Sequence, residues 1–98
     1  MDLINGERMH AKHPATFEIP SHDDRMNLTP GDLVKIGLRD GADGERFWVM
    51  VTDAERGGPY SGTVNNHLTV FDLPFGASIA FGPEHVLSVD RVNSPAAA

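Results

Sequence analysis

The segment from Glu45 to Asp53 constrains the fold most. It holds Phe47, Trp48, Val49, Met50 and Val51 in succession, residue types enriched in strands. Alternate side chains of a strand point to opposite faces. Phe47, Val49 and Val51 therefore share one face, and Trp48 and Met50 share the other. A strand that is apolar on both sides needs cover on both, or leaves an apolar surface on one. It belongs in the middle of a sheet.

The flanking sequence supplies the neighbours. Thr29-Pro30-Gly31-Asp32 is a turn signal, because proline presets the second position and glycine accepts a left-handed conformation after it. A strand is expected directly beyond, from Leu33 to Arg39, with Val34, Ile36 and Leu38 on one face. Asp40 to Gly44 is a glycine-rich connection into the central strand. Arg56-Gly57-Gly58-Pro59 reads as a loop, and Tyr60 to Asn66 returns as the third strand, with Gly62 at a bulge or a close approach. Leu68 to Phe71 is read as extending that pairing. Pro74-Phe75-Gly76 marks a tight turn before a fourth strand, Ala77 to Phe81. Gly82-Pro83-Glu84-His85 starts a single 3₁₀ turn, and Val86 to Val89 follows as the last strand.

Before the first barrel strand, Leu3 to Lys12 reads as a short helix that Gly6 weakens and His13-Pro14 ends. Thr16 to Ile19 is a brief extended piece with Phe17 and Ile19 facing the core. Ser21 caps a helical turn running through Asp24 to Met26. Five short strands separated by turns, with no long helix to cover a parallel sheet, give the expected class. It is a mainly β (α+β) chain, a small five-stranded antiparallel SH3-like barrel with a short N-terminal helix. The expected organisation is one domain over residues 1–92, with a cover at 1–26, a barrel at 33–92 and a flexible tail at 93–98. The expected core is Phe17, Ile19, Val34, Ile36, Leu38, Phe47, Val49, Val51, Val64, Ile79, Phe81, Val86 and Val89.

Composition narrows the function classes. The 98 residues include no cysteine, which excludes disulfides, thiol catalysis and cysteine zinc sites. A net charge of −6 repels polyanions, so nucleic-acid binding is disfavoured. No apolar run approaches the length of a membrane span, and the first residues lack the basic-then-apolar order of a secretory signal. A cytoplasmic location is the expectation.

The order of several segments resembles the YegJ-like small proteins of bacteria and their mobile elements, a family of unknown function. The segments are His13-Pro14, Thr16-Phe17-Glu18-Ile19-Pro20, Pro30-Gly31-Asp32-Leu33-Val34-Lys35, Glu45-Arg46-Phe47-Trp48-Val49, Gly62 with Val64 and Asn65, and Phe81-Gly82-Pro83-Glu84-His85-Val86. They span most of His13 to Val89. The resemblance implies a β-rich domain and no established activity. Asn65-Asn66-His67 departs from the pattern, which has an asparagine-x-proline turn there.

The chemistry-bearing residues are sparse. His10 and His13, with His22, Asp23 and Asp24, do not supply a fixed set of metal ligands, so no metal is assigned. His85 reads as a half-buried cap of the final turn rather than a general base. Ser21, Ser61, Ser78 and Ser88 lie in no nucleophile elbow, and Arg56-Gly57-Gly58 lacks the lysine and the setting of a phosphate loop. No enzyme activity and no cofactor are assigned. The outer face of the central strand remains. An N-terminal helix packed over Trp48 and Met50 is the economical cover. If the helix packs elsewhere, Arg46, Trp48, Met50 and Tyr60 form a candidate protein-binding patch. The expected function is thus a non-enzymatic protein-interaction module with a protein partner. The alternatives are an inhibitor or immunity protein of a phage or mobile element, and a weak single-strand nucleic-acid binder.

Overall fold

In the computed structural model, which describes residues 2–90, the chain is mainly β. The strands are β1 (Asp2–Leu3), β2 (Leu33–Asp40), β3 (Asp43–Ala54), β4 (Tyr60–Val64), β5 (Ser78–Phe81) and β6 (Ser88–Asp90). Two short helices, α1 (Gly6–Lys12) and α2 (His22–Met26), precede β2, and a 3₁₀ turn covers Pro83–His85. All strand pairs are antiparallel, in the order β1-β2-β3-β4-β5, and the sheet curls into a half-barrel. β6 comes back to β2, pairing Leu33 with Asp90 and Lys35 with Ser88. It shares that edge with β1, which pairs with Leu38 and Arg39 at the other end of β2. Among the described residues no ladder joins β5 to β6. No helix there is long and apolar enough to cross a membrane.

The sheet forms where alternation and turn chemistry agree. In the Thr29–Asp32 turn, the Asp32 amide donates to the Thr29 carbonyl at 3.0 Å, and Gly31 takes φ 97°, a conformation that favours glycine. The buried Asp32 carboxylate accepts from the Thr29 amide and hydroxyl at 2.9 and 3.2 Å. The Gly31 amide donates to the Val51 carbonyl, and the Val51 amide to the Asp32 carbonyl, so the turn is stitched to β3. β3 slips its register between Val51 and Asp53, where a bulge forms opposite β4. Gly62 lies opposite Val51, and a Cβ there would sit 2.3 Å from the Met50 carbonyl oxygen and 2.6 Å from a Val49 methyl. That is the close approach expected of Gly62.

One cluster of buried side chains fills the concave side: Val34, Ile36 and Leu38 of β2, Phe47, Val49 and Val51 of β3, Tyr60 and Val64 of β4, with Phe81, Val86 and Leu28. Full burial of a side chain such as Phe47 contributes about 1.5–3 kcal/mol. Ile79 and Val89 are half-buried against this cluster rather than inside it. Phe17 and Ile19 are outside it, because the 13–20 segment runs across the end and outer face of the sheet instead of between its strands. Leu28, Tyr60 and Leu87 are buried without having been expected there.

The N-terminal cover also differs from expectation. The helix starts at Gly6, capped by the Asn5 side chain, which accepts from the Arg8 amide at 2.9 Å. Gly6 does not weaken the middle of this helix; it is a contact point, and a Cβ on it would lie 2.8 Å from Leu87. α1 thus packs at the 3₁₀ turn, and Ser21 caps α2 through the Asp24 amide at 3.1 Å. Arg25 of α2 is 6% exposed. Its Nε donates to the Pro20 carbonyl at 3.0 Å, and its Nη1 donates to the Pro83 carbonyl at 3.3 Å and to the Glu7 carboxylate. Residues 68–71 form no strand, and the last strand starts at Ser88. Residues 91 and 92 of the expected barrel, and the expected tail at 93–98, lie outside the described residues.

Two substitutions test these contacts. Gly62→Ala forces β3 and β4 apart and is expected to cost about 1–3 kcal/mol, read as a lower urea midpoint at unchanged slope. Arg25→Ala is expected to cost about 3 kcal/mol, from the lost hydrogen bonds of a charged donor and its lost packing. Glu7→Gln should cost less than about 1 kcal/mol, since the Glu7 side chain is 47% exposed. Equal losses in the two variants would place the anchor in the ion pair rather than in the carbonyl contacts.

Candidate functional site

The outer face of β3 carries Arg46, Trp48 and Met50, spaced by two residues along one side of the strand. Register places them beside β2: Gly37 opposite Arg46, Lys35 opposite Trp48, and Leu33 opposite Met50. Ser88 and Asp90 of β6 extend the rows that contain Lys35 and Leu33. Thr63 of β4 extends the Met50 row on the other side. The sheet therefore presents a cationic and aromatic row next to one in which Met50 and Leu33 lie between Thr63 and Asp90.

The N-terminal segment covers only part of this face. Ile4 lies over Gly37, where a Cβ would meet its side chain at 2.7 Å. Phe17 sits against Arg46, with the guanidinium carbon 5.1 Å from the ring centroid. The Phe17 carbonyl is held at 2.7 Å by the His10 ring, whose Nδ1 donates to it. Further along, Lys35 extends over the Trp48 ring, its Nζ 4.9 Å from the centroid. Each such cation–π contact contributes about 0.5–1 kcal/mol at an exposed position. Trp48 is left half-buried, and Met50 is 40% exposed. The helix expected to cover them packs elsewhere, so the cover stops before Trp48. Residues Thr16 to Glu18 leave a groove of about 300 Å³ against Lys35, Arg46 and Ser88.

Tyr60 does not belong to the patch. It is 1% exposed, its ring tilted against Phe81 with centroids 5.6 Å apart, and its hydroxyl donates to the Arg25 carbonyl at 2.8 Å. As the first residue of β4, opposite Ala54 and next to the bulge, it faces the core. The structure brings together Arg46, Trp48 and Met50, and it adds Lys35 and Leu33. These two stand on the face of β2 that alternation assigns away from Val34, Ile36 and Leu38. Their adjacency to Trp48 and Met50 follows from a two-residue hairpin turn at Gly41-Ala42.

The long loop between β4 and β5 fixes the position of Trp48. β4 ends at Val64, and the loop continues the pairing of β3 with side chains. The Asn66 Oδ1 accepts from the Trp48 amide at 2.9 Å, and the Asn65 amide donates to the Trp48 carbonyl at 2.8 Å. Beyond it, the Glu45 carboxylate accepts from the Thr69, Val70 and Phe71 amides at 2.8, 2.7 and 3.2 Å. These bonds hold its carboxyl below the usual 4.5; the Thr69 amide is the largest cause, desolvation opposes it, and the Val70 and Phe71 amides and the Thr69 hydroxyl add to the lowering.

The His85 Nδ1 accepts from the Gly82 amide at 2.9 Å, so its ring caps the 3₁₀ turn as expected. Among the described residues no three His, Asp or Glu side chains are grouped to hold a metal ion. No protein-family model, curated protein or solved structure matches this chain.

Because the folded state lowers the Glu45 pKa, its contribution is fully present above the unfolded value and is lost as pH falls through the folded one. The loop is therefore expected to stay clamped down to the usual carboxylate range and to release below it. An amide NMR titration should show Thr69, Val70 and Phe71 shifting together below pH 4.5. Glu45→Gln should loosen the same three amides at neutral pH.

Proposed function

We propose that this chain is a non-enzymatic protein-interaction module built on an SH3-like barrel. Strand order supports the barrel: β2 to β5 run as a meander, a single 3₁₀ turn follows β5, and β6 returns to the edge of β2. The motif order that resembles the YegJ-like proteins implies such a domain and no activity. The observation that carries the function is Met50, 40% exposed in the middle of the sheet beside a half-buried Trp48. The chain has its own segments to cover this face, and they stop at Gly37 and Arg46. Tryptophan and arginine in a partly desolvated setting are the side chains that dominate binding energy at interfaces.

Iodide quenching and affinity capture test this reading together. Trp48 is the only tryptophan, so its fluorescence reports the patch alone. Iodide is expected to quench it, and a protein retained from source-cell lysate by the wild type should be lost with Met50→Asp at unchanged melting temperature. An unquenched Trp48, or a partner captured equally by both forms, would overturn it.

A further inference from the structure

The groove beside Trp48 carries two cations that have no ion-pair partner among the described residues. Lys35 and Arg46 each rest on an aromatic ring, and the one ion pair among the described residues, Arg25 with Glu7, is elsewhere. Glu18 also lines this groove and forms no ion pair with either. A chain of net charge −6 thus concentrates two of its eight Lys and Arg residues in one cleft. Beyond Trp48 the face continues through the apolar Met50 and Leu33, with Asp90 next to Leu33. Charge complementarity and this order define what fits.

Resting on the interaction reading above, we propose that the face binds an extended peptide segment carrying a carboxylate. The carboxylate lies between Lys35 and Arg46, and an apolar side chain lies over Trp48 and Met50. Arg46, Trp48 and Met50 are two residues apart on a strand, so successive groups on this face stand about 7 Å apart. An extended peptide matches that spacing with its own alternate side chains, so the acidic and apolar residues are two or four positions apart. Guanidinium and ammonium groups already held on rings lose little freedom on pairing with the carboxylate. Single-stranded nucleic acid, which also uses rings and cations, is the less suitable occupant. Two cations do not form a backbone-tracking groove on an acidic chain, and Met50 and Leu33 offer no stacking surface.

The test uses the full chain and a fluorescein-labelled peptide of sequence Gly-Asp-Ser-Leu-Ser-Leu-Gly with blocked ends, read by anisotropy at low salt. Binding is expected, with at least tenfold weaker affinity when the peptide aspartate is replaced by asparagine. The double variant Lys35→Gln/Arg46→Gln should abolish that difference, and Met50→Asp should weaken both peptides. Equal affinity of the aspartate and asparagine peptides would overturn the carboxylate assignment while leaving the interaction module standing. No binding of either peptide would overturn this inference alone, since the module falls only if quenching or capture fails. Displacement of the peptide by oligothymidylate at equal or lower concentration would also overturn it, in favour of single-stranded nucleic acid.

Discussion

The arrangement of this chain depends on one buried guanidinium. Arg25 contacts the first helix, the Pro20 segment and the 3₁₀ turn at once, through Glu7, the Pro20 carbonyl and the Pro83 carbonyl. Its own carbonyl receives the Tyr60 hydroxyl, and the neighbouring Met26 carbonyl receives the Gly57 amide. A five-residue helix has too few internal bonds to stand alone. α2 instead exists because its side chain and carbonyls are used by the elements around it. Burying a charge is costly unless its donors are satisfied, and these contacts satisfy Arg25 while fixing the N-terminal cover to the open end of the sheet.

That fixed cover explains why the outer face is only half closed. With α1 anchored at the 3₁₀ turn, the chain between the helices is long enough to bring Phe17 to Arg46, where the His10 ring holds its carbonyl. It then turns back to Pro20 and Arg25. Its contacts stop at Arg46, short of Met50. On the other edge, the β4–β5 loop replaces a missing strand with side-chain acceptors, Asn66 for the Trp48 amide and Glu45 for three loop amides. The outer face of β3 is therefore bounded by these contacts on both sides, with Met50 left 40% exposed.

Much of this was legible in the chain. Alternation places Val34, Ile36 and Leu38, and Phe47, Val49 and Val51, on the buried side, and each is buried. The Thr29–Asp32 turn, the Ser21 cap, the close approach at Gly62 and the His85 cap each follow from a local backbone requirement and were readable for that reason. Tyr60 was misplaced because tyrosine suits either a core or a surface, and only a hydroxyl acceptor 35 residues away decides between them. Leu68 to Phe71 has the composition of a strand. Three of its four amides go to Glu45, a choice made by a residue more than twenty positions earlier. Lys35 carried no signal of its own, since a cation in an alternating strand reads as ordinary solvent exposure.

By itself, the sequence determined that a central strand is apolar on both faces and that its inner face joins a core. Period-two alternation and turn chemistry are local properties, encoded within a few residues. Tertiary structure alone decided how far the outer face is covered. That answer depends on where Arg25 finds its carbonyls and where the intervening chain can reach, contacts between residues far apart in sequence. The placement of Lys35 and Arg46 at one end of the exposed row came instead from the β2–β3 hairpin register. A strand with two apolar faces thus became a strand with one face closed and one available.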